Sequence, residues 1–114
     1  MNDALPVLDS QLAIDNAGGS IELARDLHRM LQDELPQYLN RIRTSYQQQD
    51  YAQLSLDVHK LNGSATYCGV PALKRAAHAF DSHLKQHADE HYAADLGNLL
   101  TQIERVMQSP PPDF

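Results

Sequence analysis

Leu54-Ser55-Leu56-Asp57-Val58-His59-Lys60-Leu61-Asn62-Gly63-Ser64-Ala65-Thr66-Tyr67-Cys68 is the stretch on which the reading of this chain turns. Leu54, Val58, Leu61, Ala65 and Cys68 recur at alternating steps of four and three. On an α-helix they stack into one apolar seam, of the kind that closes a helix bundle. At 100° per residue, His59 lies roughly 160° around the helix from Leu61. It therefore points to solvent, and Leu56, Gly63 and Thr66 share its outer face, flanked by Ser55 and Asn62. Gly63 stands one turn beyond His59. Glycine inside a helix costs ~1 kcal/mol relative to alanine, so its presence asks for a reason. A missing side chain one turn away bares a flank of the imidazole and leaves it open to a bulky reaction partner.

The same period runs outward in both directions. Asp50 with Gln53 has the form of a capping box that opens the quoted helix. Upstream, Leu23, Leu27, Met30/Leu31, Leu35, Leu39, Ile42 and Tyr46 form a stripe from an N-cap at Ser20 to about Gln48. Pro36 interrupts that stripe, where a kink or break is expected. A short leading helix is predicted from Ser10 to Ala17, capped by Asp9 and ended by Gly18-Gly19. Downstream, Gly69-Val70-Pro71 stops one helix and starts the next, with proline at an allowed first position. Leu73, Ala77, Phe80 and Leu84 make its seam. A last helix from His91 to Gln108 buries Tyr92, Leu96, Leu99, Ile103 and Val106, and Ser109-Pro110-Pro111-Pro112 reads as an extended tail. These seams and short turns predict an all-α fold, an up-and-down four-helix bundle with a short extra N-terminal helix. Residues 1–108 form one domain and 109–114 a Pro-rich tail.

Composition narrows the partners. The 114 residues fit a single domain, 42% are hydrophobic, and the net charge is −6. No run of Lys or Arg exceeds two. An acidic chain without a basic stripe argues against nucleic acid and anionic membrane surfaces. No apolar stretch is long enough to span a bilayer, and Met1-Asn2-Asp3 lacks the basic start of a signal peptide. The single cysteine, Cys68, has no partner for an internal disulfide. A reducing, cytoplasmic setting is expected.

An exposed imidazole beside a gap suits nucleophilic work. Neutral imidazole, with an unperturbed pKa of ~6.5, presents a nitrogen lone pair near neutrality without a base to deprotonate it. Phosphoryl transfer asks mainly for in-line positioning and charge neutralisation, which a metal-bearing partner can supply. His59-Lys60-Leu61-Asn62-Gly63-Ser64-Ala65, with Tyr67-Cys68-Gly69-Val70-Pro71-Ala72-Leu73, resembles the histidine phosphotransfer (HPt) domains of bacterial multistep phosphorelays. The Tyr-Cys-Gly-Val-Pro continuation looks most like the C-terminal HPt domain of BarA/GacS-type hybrid sensor histidine kinases. Asp9, Gly19 and Asp50 also fall where family members tend to have them.

The resemblance implies that His59 is the phosphoacceptor, taking phosphate from a receiver-domain aspartate and passing it to a response regulator. It implies that Gly63 gives the receiver clearance, and that Leu61, Ala65 and Leu73 are core. Ser55, Leu56, Lys60, Asn62 and Thr66 would lie near the phosphate or the docked receiver. Asn62 departs from the family, which often has Lys there; asparagine can donate a hydrogen bond but brings no charge. Lys60, about 100° around the helix from His59, partly compensates in this reading. No Gly-rich phosphate loop or acidic metal pocket is visible. The domain is expected to lack kinase activity and to bind no cofactor, with Mg²⁺ held by the receiver. It is expected to be a cytoplasmic monomer without direct membrane contact, either free-standing or the cytoplasmic C-terminal domain of an inner-membrane sensor kinase.

Other signals compete. A non-catalytic helical interaction module could use the Leu56/His59/Thr66 face without any phosphate. His83, His87 and His91, with Asp89 and Glu90 nearby, recur at steps of four, the spacing of a Zn²⁺-binding helical face, although a boundary near Ala88 to Glu90 would break it. His78 reads as a partly exposed packing residue and His28 as lying beside its helix's seam. Cys68 on the seam is a small buried hydrophobe rather than a reactive thiol. Asp57 faces away from His59, so no Ser/His/Asp arrangement is available. Tyr38, Tyr46, Tyr51, Tyr67 and Tyr92 read as core or rim packing.

Overall fold

Five α-helices follow one another in the computed structural model, which describes residues 5–110. The reading of Met1 to Asp3 and the tail beyond Pro110 lie outside those residues. Helix α1, Ser10–Asn16, starts where the Asp9 carboxylate accepts from the Leu12 amide at 3.0 Å. Its Ala13, with Ala17 at its C-cap, is buried against Ala24 of α2. Gly18 and Gly19, both at positive φ, turn the chain. Ser20 then caps α2, Ile21–Gln47, its hydroxyl accepting from the Leu23 amide.

Helix α2 departs from the sequence reading in two ways. It runs through Pro36 as one helix. Proline removes one backbone hydrogen bond, but Pro36 is exposed, while Leu31, Leu35 and Ile42 hold both halves against the core. The stripe is also rotated at its start. Leu23 and Met30 are 46% and 57% exposed; Ala24 and His28 are buried instead, and of the Met30/Leu31 pair Leu31 is the buried one. Helix α1 sets this phase, because its alanines cover the Ala24 side.

Helix α3, Tyr51–Thr66, is capped by Asp50, which accepts from the Gln53 amide at 3.1 Å. The reciprocal half of the capping box is absent: the Gln53 side chain reaches forward to Asp57. Leu54, Val58, Leu61, Ala65 and Cys68 are buried as the spacing predicts. Helix α4, Pro71–Lys85, opens with Pro71 in its first turn and buries Leu73, Ala77, Phe80 and Leu84. A one-turn 3₁₀ helix, Asp89–His91, leads into α5, Tyr92–Gln108. Leu99, Ile103 and Val106 of α5 are buried as expected, while Asp95 is buried and Leu96 only half-buried.

Helices α2 to α5 form a ring of neighbours: α2 against α3, α3 against α4, α4 against α5, and α5 back against α2. Phe80 fills its centre and touches Tyr92, whose ring meets Tyr51 edge-on at 5.2 Å. The expected four-helix bundle with a short leading helix is the observed fold. No helix among the described residues is long and apolar enough to cross a membrane.

Candidate functional site

His59 sits midway along α3 with 63% of its side chain exposed. The buried seam on the opposite side of α3 fixes that outward pose. The ring is not isolated. Its Nδ1 lies 3.3 and 3.4 Å from the two carboxylate oxygens of Asp81 on α4. The Asp81 side chain is only 4% exposed, and Lys85, one turn further on α4, donates to its Oδ2 at 3.0 Å. An ionised carboxylate can only accept. Nδ1 therefore carries the ring hydrogen, and Nε2 turns its lone pair outward.

Asp81 and Lys85 were not singled out from the sequence. An Asp–Lys pair four residues apart is a common surface pattern. Only the way α3 packs on α4 brings that carboxylate under His59.

Gly63 is exposed, and a Cβ added there would meet nothing within 4 Å. Neither a positive φ nor internal packing calls for glycine at this position. Leu56 is exposed on the same face and Ser55 is half-buried beside it. Thr66 turns its hydroxyl back to the Asn62 carbonyl at 2.8 Å. Asn62 is half-buried, and its side-chain oxygen is shut from solvent without a partner. Lys60 lines clefts with Arg41 of α2, whereas Lys85 is the cation that reaches the His59–Asp81 pair.

The remaining histidines serve elsewhere. His28 is buried within the α2 seam rather than beside it, and burial holds its pKa below the usual value. His83 donates from Nδ1 to the Asp95 carboxylate at 2.6 Å and stacks on His91, with ring centroids 4.1 Å apart. His87 takes a positive φ beyond the end of α4, so His83, His87 and His91 do not share one helical face. No group of three or more His, Cys, Asp or Glu among the described residues is placed to hold a metal ion. His78 is exposed. Cys68 is buried, its thiol pushed up to about 11 by burial and by Glu34. Asp57 is buried on α3, away from His59.

The model of the Hpt domain family matches residues 26–109, which include most of α2 and all of α3 to α5. The chain belongs to the Hpt domain family. This Hpt domain is 34% identical over 100 residues to the signal transduction histidine-protein kinase BarA of Escherichia coli (strain K12), covering 87% of the chain and 11% of that kinase. It is 35% identical over 106 residues to the sensor protein GacS of Pseudomonas syringae pv. syringae, covering 89% of the chain and 12% of GacS. The domain thus spans a small fraction of the length of these relatives. Its fold matches the crystal structure of the HPT domain from a sensor hybrid histidine kinase of Shewanella with a TM-score of 0.83 and 30% identity. That match covers 89% of this chain and 87% of the other. The Hpt domain is homologous to the phosphotransfer regions of hybrid sensor kinases.

Proposed function

We propose that this Hpt domain carries phosphate on His59 between two receiver aspartates in a multistep phosphorelay. The supporting observation is the solvent-facing imidazole whose Nδ1 is engaged by buried Asp81, one turn from a glycine with open space around it. The Nε2 lone pair attacks the phosphorus of a receiver aspartyl phosphate. The new N–P bond forms as the P–O bond to the aspartyl carboxylate breaks, and the carboxylate leaves with the electron pair. The reverse step hands the phosphoryl group to a response regulator.

Hpt domains of hybrid kinases partner with receiver domains and response regulators in general. In our reading the receiver brings the Mg²⁺ that neutralises the transferring group, and docks over Leu56, Gly63 and the α3 face around His59. The carrier domain comprises residues 1–108, followed by a tail at 109–114. It works as a monomer on the cytoplasmic side of a membrane-bound sensor kinase.

The test uses a receiver phosphorylated with labelled phosphate. Label should move to this domain, resist alkali, be lost in acid, and vanish in His59→Gln while circular dichroism is unchanged. Label retained in His59→Gln sinks the reading. A receiver that binds without transferring label would instead support a non-catalytic docking module.

A further inference from the structure

The carboxylate under His59 has a consequence for the phosphorylated state, which rests on the carrier reading. We infer that Asp81 holds the proton on His59 Nδ1 through both transfers, so that phosphate comes and goes at Nε2 with no proton exchanged with solvent. Lys85 sets how firmly it does so.

The argument follows the charges. Before attack the ring is neutral, with hydrogen on Nδ1. When Nε2 bonds to phosphorus, both nitrogens are substituted and the ring becomes cationic. If Nδ1 then loses its proton to water, the next transfer must expel an imidazolate anion, a poor leaving group. If the proton stays, the ring leaves as neutral imidazole, in the same tautomer with which it began. Onward transfer therefore depends on a proton that bulk water competes for near neutral pH.

Asp81 is placed to keep it. Both carboxylate oxygens lie within 3.4 Å of Nδ1, and the side chain is almost wholly removed from water. Charge interactions strengthen in such a setting. An amide at this position could orient the ring equally well but would carry no charge to oppose the imidazolium. The Lys85 ammonium, 3.0 Å from Oδ2, draws on the same carboxylate from the solvent side.

The other charged groups are placed differently. His78 on α4 is exposed one turn before Asp81. Lys60 of α3 lines a cleft with Glu34 and Arg41 of α2. Asp95 of α5 is engaged by His83. Lys85 is the cation paired with Asp81 and so the charge placed to modulate it.

The 114-residue chain, labelled with ¹⁵N in histidine and phosphorylated chemically with phosphoramidate, tests this without an identified receiver. Nitrogen chemical shifts report the Nδ1 proton of phospho-His59 across pH. In Asp81→Asn, which keeps the shape, the pH of proton loss should fall by about one unit or more, a tenfold weaker hold. Dephosphorylation, which follows the protonated form, should stay level from about pH 6 to 8 in the wild type and decline over that range in the variant. Lys85→Gln, a change at the surface, should move proton loss upward. An unchanged midpoint in Asp81→Asn, or a downward one in Lys85→Gln, overturns the inference while leaving the carrier reading intact. Failure of His59 to take phosphate at all defeats both.

Discussion

The imidazole of His59 and the carboxylate of Asp81 meet across the α3–α4 interface from positions 22 residues apart in the chain. A buried carboxylate is a poor contributor to stability, because desolvation offsets its ion pairing. This one is held by an exposed lysine and a mostly exposed histidine. Its place is explained by the nitrogen it orients.

Asp81→Leu should therefore keep or slightly raise the stability of the bundle, since an apolar residue of similar size removes a buried charge. Phosphoryl acceptance from a labelled receiver should slow roughly tenfold, equivalent to about 1.4 kcal/mol of barrier. Urea unfolding and transfer rates measured on one preparation separate the two effects. A variant that transfers at the wild-type rate would show that Asp81 does not prepare His59.

Gly63 supports a prediction in which stability and function move oppositely. A Cβ here meets nothing, so Gly63→Ala should stabilise the fold by about 1 kcal/mol through helix propensity alone. That amounts to a rise of several degrees in Tm for a domain of this size. Gly63→Gln should also fold, yet slow transfer by obstructing the receiver. If thermal unfolding shows no gain for alanine, the cost assigned to this glycine is wrong. If glutamine transfers normally, clearance is not its purpose.

His28 predicts how stability responds to acid. The ring is buried, its Nδ1 has no partner, and burial holds its pKa below the unfolded value. Above about pH 6.5 it is neutral folded and unfolded, and contributes no slope. As pH falls below that point the unfolded chain takes up a proton that the folded chain refuses, so stability declines. His28→Met should flatten this decline, and at pH 7 its effect should be small, because removing the unsatisfied Nδ1 offsets losing the Nε2 contact with Gln32 at 3.3 Å. Denaturant midpoints of both proteins between about pH 7 and 5 provide the check; parallel curves would exclude His28 as a source of the slope.

The readings that succeeded rest on spacing within one helix. The α3 and α4 seams, the caps at Asp9, Ser20 and Asp50, and the outward pose of His59 all follow from local periodicity and hydrogen-bond chemistry. The readings that failed depend on what one helix presents to another. Leu23 and Ala24, or Met30 and Leu31, are equal candidates for a stripe until α1 covers one side. Buried His28, Asp81 and Asp95 run against the rule that polar side chains stay out of a core. Their partners come from other helices or other turns. The break expected in the His83, His87 and His91 face is local as well, since His87 takes a positive φ just beyond α4.

Gly69 ties the leading helix to the bundle and gives the sharpest backbone prediction. It sits at φ +65°, where a Cβ would lie 2.6 Å from the Ala13 Cβ and from the Asp9 carbonyl oxygen. Two effects add: the left-handed conformation penalises a side chain, costing roughly 1–2 kcal/mol, and the approach of α1 leaves no volume for one. The Asp9 amide also donates to the Gly69 carbonyl at 2.8 Å, and the Ala72 amide to the Pro6 carbonyl. Any shift that relieves the clash therefore loosens the cap of α1 as well. Gly69→Ala should destabilise the chain by about 2 kcal/mol or more and release α1 first. Amide hydrogen exchange should show Ala13 and Ala17 losing protection while Leu61 and Phe80 keep theirs. Because His59 lies on α3 and its partner Asp81 on α4, the variant should still accept phosphate wherever it remains folded. Uniform loss of protection throughout the bundle would mean that α1 is integral to the core and not a cover laid over it.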